Sequence, residues 1–259
     1  MQIHILDDRL RFPDPLLANA EGLVAIGGDL SAPRLLLACR SGIFPWTADP
    51  VTWWSPDPRA IFELDRFHVS RSLARTMRAR AFQITLNKAF REVMEGCAAP
   101  APGRRSTWIS PEFIEAYTEL HQLGHAQSLE CWRGGSLVGG IYGVTIGSFF
   151  AGESMFHRAS NASKIALYCL VQHLRKWNFG LFDIQMLTPI TAQLGGITIA
   201  RAEYLRRLAA AIEKPSTADW SPAISKPIYP ISCSGCGITP ELLRRDVRRL
   251  FHQEQFCFA

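Results

Sequence analysis

Apolar and polar residues alternate along the chain with two different periods. Between residues 109 and 125, apolar residues recur at positions 113, 114, 117 and 120, which is the spacing of a helix with one buried face. Ser110 and Pro111 form a typical helix start. Comparable start and stop signals predict further helices over residues 31–42, 70–82, 88–97, 160–178 and 201–212.

Strand character is strongest in the middle of the chain. Three apolar or alternating segments, 126–132, 137–146 and 149–156, are separated only by short turns, which indicates antiparallel hairpins. Further strands are predicted within residues 59–70, 82–86 and 180–186. Because strands and helices are interspersed, the pattern predicts an α/β fold of mixed α+β type.

Composition divides the chain into three regions. Residues 1–60 are rich in Pro, Gly and Trp, which predicts a small loop-rich N-terminal domain. Residues 61–213 carry most of the predicted elements and form the main domain. Residues 214–259 begin with a stretch of Pro and Ser that is typical of a linker, and a basic helical extension follows it. We find neither a secretory signal nor an uninterrupted apolar run of about 18 residues, so we expect a cytoplasmic protein that does not span a membrane.

Positive charge is concentrated rather than spread evenly. The formal net charge is +5, and no acidic residue lies between Arg66 and Arg80. In the helix predicted after Ser70, residues 71, 75 and 78 share one face. Such a stripe is either a solvated helix face or a contact surface for a phosphate backbone. A second basic cluster lies in the C-terminal extension, at Arg244, Arg245, Arg248 and Arg249.

The cysteines do not indicate a metal site or disulfides. There are seven, an odd number, and they are scattered, so we expect reduced thiols. Cys233 and Cys236 form a CxxC pair, but a zinc site requires two more ligands. The spacing of His252 and Cys257 matches no standard zinc module, so we expect no bound metal.

Two groups of polar residues interrupt apolar strands. Glu153 follows a long apolar segment, where a carboxylate is costly to bury unless it is paired. It could lie in water at the strand end, pair with Arg158, or belong to a functional site. Asp183 and Gln185 share one face of a predicted strand. They indicate either a site or the wet face of an edge strand.

Tryptophans in or beside loops form another unusual group. A single Trp is most often part of the core. Several in loops can also line a pocket for an apolar side chain or stack on a base. The residues concerned are Trp46, Trp53, Trp54 and Trp108.

In combination, these motifs resemble one known family. The chain from about residue 10 to 210 is similar to the leucyl/phenylalanyl-tRNA–protein transferases. The matching stretches, in order, are GLVAIGGDLS, GIFPW, WWSPDPR, TWIS, AQSLECW, LVGGIYGV, GESMF, NASK and FDIQ.

The resemblance implies an activity and a fold. The family moves Leu or Phe, and less readily Met, from aminoacyl-tRNA to the N-terminal Arg or Lys of a protein, which marks that protein for degradation. The main domain should have the acetyltransferase-like (GNAT) fold. We expect a monomer that requires no cofactor.

The resemblance also implies site residues by position. Asp183 and Gln185 match the catalytic pair and Glu153 matches an active-site carboxylate. The substrate-binding residues are expected to be Trp46, Trp108, Met155, Ser154, Ile184, Leu170 and Leu174. The tRNA-binding residues are expected to be Arg71, Arg75, Arg78 and Arg80. Leu170 and Leu174 stand where some members carry aromatic residues, which leaves the preference between Leu and Phe open.

Two alternative functions are compatible with parts of this pattern. A CoA-dependent GNAT acetyltransferase would share the fold, but it needs a glycine-rich turn before the helix that follows Glu153, and FHRASNASK contains no glycine. A non-catalytic tRNA-binding module would use the arginine stripe but would leave Asp183 and Gln185 without a purpose.

Overall fold

The computed structural model describes residues 3–101 and 107–225. These residues form two β-sheets with helices packed around them. The strands are β1 His4–Leu6, β2 Leu23–Gly27, β3 Phe44–Ala48, β4 Val51–Trp54, β5 Arg59–Phe62, β6 Gln83–Leu86, β7 Ala126–Arg133, β8 Ser136–Ile146, β9 Phe149–His157, β10 Leu181–Gln185, β11 Gly196–Ile199 and β12 Ala223–Ser225. The helices are α1 Ala32–Arg40, α2 Arg71–Arg78, α3 Phe90–Ala98, α4 Pro111–Gln122, α5 Ala162–Lys176, α6 Pro189–Gln193 and α7 Arg201–Glu213.

The larger sheet contains the predicted meander. Its strand order is β11-β5-β10-β9-β8-β7-β6-β12, and neighbouring strands are antiparallel except for β9 and β10, which are parallel. The three hairpin strands, the helix α5 and the returning strand β10 follow in the order expected of a GNAT-like domain. The predicted mixed α/β fold is therefore confirmed.

The N-terminal region is more regular than its composition predicted. Instead of being mostly loop, it forms a sheet with the order β1-β2-β4-β3. The buried ring of Trp53 shares one apolar cluster with residues of α3, α4 and the larger sheet. The division at residue 60 into two domains stays a prediction, because this core is continuous across it.

Two apolar clusters cover the two faces of the larger sheet. One cluster joins α1, α3, α4 and α7 to the sheet, and the other joins α2 and α5 to it. Helix α2 shows how the sequence determines this packing: Ser70 accepts a hydrogen bond from the backbone of Leu73 at 3.2 Å and so caps the helix. Leu73 and Met77 are buried, whereas the arginines of α2 face outward.

The segment after α7 is held against the sheet where a linker was predicted. The ring of Trp220 lies 4.3 Å from that of His173 and 5.8 Å from that of Phe150. The Trp220 carbonyl accepts a hydrogen bond of 2.7 Å from the side chain of Asn87. Strand β12 then pairs antiparallel with β6. The CSGC motif and the basic tail lie outside the described residues.

Among the described residues, no helix is both long enough and apolar enough to cross a bilayer.

Candidate active site

Glu153 lies at a bulge in strand β9. The pairing of β8 with β9 passes from Gly143–Gly152 directly to Tyr142–Ser154, so Glu153 has no opposite residue on β8. A larger residue would not fit at Gly143, because its Cβ would lie 2.1 Å from a backbone oxygen of β9. Bulges redirect side chains and often occur next to active sites. This bulge interrupts the alternation of side chains between the two faces of β9 at Glu153.

Gln185 lies at a second bulge, in the neighbouring strand β10. The pairing with β5 passes from Asp183–Ile61 to Gln185–Ala60 and skips Ile184. The backbone of Gln185 has a φ of 53°, in the left-handed region that residues other than glycine rarely adopt. Its N–H donates a hydrogen bond of 2.9 Å to Oδ1 of Asp183. Asp183 thereby stabilises the unfavourable conformation of Gln185.

The two bulges lie where the parallel strands separate. The last residue pair between β9 and β10 is Ala151–Asp183, although both strands continue beyond it. Glu153 and Gln185 each lie two residues beyond this last pair, on neighbouring strands. β10 lies between β5 and β9, so the interpretation of Asp183 and Gln185 as an edge-strand face is wrong.

Polar atoms at this point lack partners within the described part of the chain. They are Oε1 of Glu153 and both amide atoms of Gln185, and all three are buried. Leaving buried polar atoms without hydrogen bonds is costly, so they are expected mainly where a ligand supplies the missing partners.

The carboxyl group of Glu153 is shifted toward its neutral form. Burial, the largest cause, and the negative charge of Asp183 raise its pKa from 4.5 to about 8, against the opposing effects of Arg59 and of a hydrogen bond with Tyr117. Glu153 is only 2% exposed, and Arg158 donates to the carbonyl of Leu137 instead. Both structural interpretations of Glu153, exposure to water and pairing with Arg158, are therefore wrong.

A second buried glutamate shows what a structural carboxylate looks like in this fold. Glu130 accepts hydrogen bonds from the hydroxyls of Thr85 and Ser128 and from the backbone N–H of Ala89. Burial raises its pKa too, but these bonds lower it. Both carboxyl oxygens of Glu130 therefore accept hydrogen bonds, whereas Oε1 of Glu153 has no partner within the described part of the chain.

Asp183 belongs to a buried network that the sequence did not reveal. Arg59 donates to Oδ1 from Nε at 2.9 Å and to Oδ2 from Nη2 at 2.7 Å. The hydroxyl of Tyr204 donates to Oδ2 at 2.9 Å. Arg59 lies in the matching stretch WWSPDPR, but nothing in a single sequence indicates that it reaches β10. Tyr117, the partner of Glu153, was missed for the same reason.

The residues predicted to surround the aminoacyl side chain are all buried. Each is at most 1% exposed: Met155, Ser154, Ile184, Leu170 and Leu174. The four apolar ones belong to one cluster between α5 and the sheet. The structure thus brings these four apolar residues together. Contact of any of the five residues with a substrate stays a prediction.

The four tryptophans separate into different environments. Trp53 is fully buried and donates from Nε1 to the carbonyl of Gly27 at 2.8 Å, so it is a core residue. Trp46 and Trp54 contact each other in the N-terminal sheet, with ring centroids 5.3 Å apart. Trp108 is half-buried and packs against both apolar clusters.

The predicted tRNA-binding arginines are exposed. Arg71, Arg75 and Arg78 lie on the outer face of α2, and Arg80 follows the helix. Helix α2 is joined to the start of α5 by a hydrogen bond of 3.0 Å from Asn161 to Thr76. Because α5 follows directly after β9, this basic surface is connected to the strand that carries Glu153.

The enclosed polar groups at two adjacent bulges have the arrangement of a site for a bound molecule, and comparisons with known proteins identify the class of protein as a transferase enzyme. A family model described as leucyl/phenylalanyl-tRNA protein transferase matches residues 61–209, and the model of its N-terminal domain matches residues 28–57. The chain belongs to the leucyl/phenylalanyl-tRNA protein transferase family. The resemblance predicted from the motifs is confirmed.

Curated relatives agree with this assignment. A leucyl/phenylalanyl-tRNA–protein transferase of Anaeromyxobacter sp. (strain Fw109-5) is 48% identical over 219 residues, which is 83% of this chain and 93% of the relative. One from Nitratidesulfovibrio vulgaris (strain DP4) is 49% identical over 220 residues, which is 83% of this chain and 94% of the relative.

One solved structure shows a weak likeness. It is the ribosomal-protein-alanine N-acetyltransferase from Brucella melitensis biovar Abortus 2308, with a TM-score of 0.32 and 16% identity over 56% of this chain and 99% of that one. A likeness of this size supports no inference about function.

Proposed function

We propose that the protein transfers Leu or Phe, and less readily Met, from aminoacyl-tRNA to the N-terminal Arg or Lys of acceptor proteins, which marks them for N-end-rule degradation. The observation that supports this proposal is the pair of buried, unpaired polar groups of Glu153 and Gln185 at adjacent bulges, in a chain of this family. The reaction belongs in the cytoplasm, where charged tRNA is available.

The reaction is the aminolysis of an ester. The acceptor's amine nitrogen forms a bond to the aminoacyl carbonyl carbon, the bond from that carbon to the ribose oxygen breaks, and the ribose oxygen takes the proton that the amine loses. An N-terminal amine has a pKa of about 8, so a usable fraction is unprotonated at neutral pH. The ester is already activated, and the enzyme can therefore gain much of the rate by positioning the two substrates.

Glu153 and Gln185 have the chemistry to position an amine. An amine or ammonium is a hydrogen-bond donor, and the unpaired oxygens of both side chains are acceptors. With a pKa of about 8, Glu153 matches the amine closely, so a proton can be shared between them near neutral pH. We assign Glu153 to binding of the amine and Gln185 to its orientation toward the ester.

The exposed arginines of α2 are suited to the tRNA. Cationic side chains on one helix face can contact successive phosphates without reading sequence. We propose that Arg71, Arg75, Arg78 and Arg80 bind the tRNA backbone, while Trp46 and Trp108 lie near its aminoacyl end.

The first turn of α5 argues against a CoA-dependent acetyltransferase. A pyrophosphate would need free backbone N–H groups at this helix start. The N–H of Ala162 already donates to the carbonyl of Ala159 at 3.0 Å, and Ala162 and Ser163 in this turn are buried. The start of α5 therefore favours a transferase that uses no CoA over a CoA-dependent acetyltransferase.

Transfer of labelled Leu and Phe from tRNA to a peptide with N-terminal Arg tests the proposal. We expect transfer by the wild type and a loss in kcat of about 100-fold in Gln185→Ala, the size typical for removal of one positioned polar group. Gln193→Ala, the same change at an exposed position, is the control and should keep full activity. Absence of transfer by the wild type would refute the function, and full activity of Gln185→Ala would refute the site.

The tRNA surface is tested separately by salt dependence. Reversing two charges in Arg75→Glu/Arg78→Glu should weaken tRNA binding and make the slope of log affinity against log salt shallower by about 2. The double change Arg9→Glu/Arg11→Glu, at exposed arginines of the N-terminal region, is the matched control. An equal slope in both double variants would contradict the assignment to α2.

A further inference from the structure

We propose that Arg59 and Tyr204 are positioning residues that hold the side chain of Asp183 in one orientation, and that Asp183 serves the reaction by holding Gln185 in its left-handed conformation. The proposal deepens the transferase function and rests on it. It excludes the role of Asp183 as acceptor of the proton that leaves the amine.

The hydrogen bonds of Asp183 leave no room for a proton from the substrate. Oδ1 accepts from Nε of Arg59 at 2.9 Å and from the N–H of Gln185 at 2.9 Å. Oδ2 accepts from Nη2 of Arg59 at 2.7 Å and from the hydroxyl of Tyr204 at 2.9 Å. A carboxylate has about four lone-pair sites, and all of them are used. A proton on either oxygen would have to displace one of these donors.

Arg59 is itself immobilised. Its Nη1 donates to the carbonyl of Gly42 at 3.1 Å. Its guanidinium carbon lies 5.0 Å from the ring centre of Phe44 and 4.4 Å from that of Tyr204. The side chain is thus held between two aromatic rings and cannot turn away from Asp183. A planar group that is bound on both edges fixes the carboxylate in one orientation.

This fixed carboxylate determines the conformation of Gln185. The φ of 53° is unfavourable for glutamine, and the N–H of Gln185 is held by Oδ1 of Asp183. If Asp183 rotated, Gln185 would lose this bond and could relax to an ordinary extended conformation. The direction of its side-chain amide would then change. The fraction of enzyme with a correctly placed amide therefore depends on Arg59 and Tyr204, although neither needs to touch the substrate.

The reaction balances without Asp183. The amine loses one proton as the C–N bond forms, and the ribose oxygen gains one as the C–O bond breaks, so no side chain must retain a proton. The charged or titratable groups that face Asp183 are Arg59 on β5, Tyr204 on α7, Glu153 on β9 and Cys39 on α1. Because the acceptor sites of Asp183 are all occupied, the pH dependence of transfer should come from the amine and Glu153.

The experiment compares Tyr204→Phe with the wild type in two assays. Loss of one hydrogen bond to a charged group should lower kcat about tenfold, with KM for both substrates within about twofold, at every pH. Amide hydrogen exchange at Gln185 should become about tenfold faster, which measures the loosened conformation directly. Arg59→Lys should have a larger effect in both assays, because one ammonium nitrogen replaces the three guanidinium nitrogens that donate to Asp183 and Gly42.

Arg34→Lys separates positioning from stability. Arg34 is equally buried, and its guanidinium donates to the carbonyls of Asp7 and Arg9 and to Asp29 in the N-terminal region. This variant should lose stability but keep kcat and the exchange rate of Gln185.

Three results would overturn the proposal. One is an unchanged kcat in Tyr204→Phe, and another is unchanged exchange at Gln185. The third is a shift of the acidic limb of the pH–rate profile to higher pH in Tyr204→Phe, which is expected if Asp183 is the base and has lost a donor. If the wild type transferred no amino acid, the proposed function would fail, while the exchange assay would still decide whether Tyr204 holds Gln185.

Discussion

Replacing Glu153 with Gln should remove a loss of stability that the wild type suffers as the pH rises from 4.5 to about 8. The folded-state pKa of Glu153 is about 8, above the value of 4.5 expected in the unfolded chain. Below pH 4.5 both states are protonated, so ionisation of the carboxyl group makes no contribution to stability. As the pH rises toward 8 the unfolded state loses its proton and the folded state keeps it, so stability is lost across this window.

The size of the effect follows from the two pKa values. The interval between 4.5 and about 8, at about 1.4 kcal/mol for each pKa unit, corresponds to about 5 kcal/mol at pH 8 and above, and about 3 kcal/mol at pH 7. Glutamine occupies nearly the same volume and cannot ionise. The unpaired amide that it introduces affects stability equally at every pH and does not change the slope.

Urea denaturation of both proteins between pH 4.5 and 9 measures this difference. The advantage of Glu153→Gln should grow with pH by several kcal/mol. Glu119→Gln, the same change at an exposed residue of α4, should show no such growth. A constant difference between wild type and Glu153→Gln over the whole range would refute the reasoning, because it would mean that Glu153 is ionised in the folded protein.

Three other changes probe the packing around the site. Trp220→Ala should lower the free energy of unfolding by about 2 kcal/mol, since the half-buried ring loses its contacts with His173 and Phe150; an unchanged urea midpoint would show that the segment after α7 adds no stability. Gly96→Ala should cost about 1–3 kcal/mol in a thermal melt, because the new Cβ would lie 2.6 Å from the ring of Phe156, and a wild-type melting temperature would contradict this. Burial lowers the pKa of His173 from 6.5 to about 4, so its contribution to stability is lost as pH falls between these values; His173→Gln should flatten the pH dependence there, and parallel curves would argue against it.

Local signals predicted the regular elements well. The helix α4 and the hairpins of β7, β8 and β9 followed from apolar period, capping residues and short turns, all of which act within a few residues. The N-terminal sheet was missed because its strands are short and rich in Pro and Trp, and their pairing depends on contact with the rest of the core. Strand β12 was missed because Pro and Ser around it are typical of linkers.

The candidate site was predicted only in part, and for a physical reason. Glu153, Asp183 and Gln185 were singled out as polar residues in apolar strands, the family resemblance implied their roles, and the structure adds that two of them lie at bulges. A bulge depends on how two strands pair, and the sequence of one strand does not determine that pairing. The contact between Arg59 and Asp183 joins residues 124 positions apart, and a single sequence carries no record of such a pairing.

The short strand β12 has a consequence for how the protein avoids self-association. An open strand presents a row of unpaired N–H and C=O groups to which another chain can add. Pairing with Ala223–Ser225 covers the outer side of β6 and leaves a final strand of only three residues, preceded by Pro222. Cleavage near residue 214 would uncover β6, which contains the buried residues Ile84 and Leu86. The shortened chain would then have an open edge strand with which another chain could pair. We therefore expect the residues that composition predicted as a linker to protect this sheet edge from pairing with another chain.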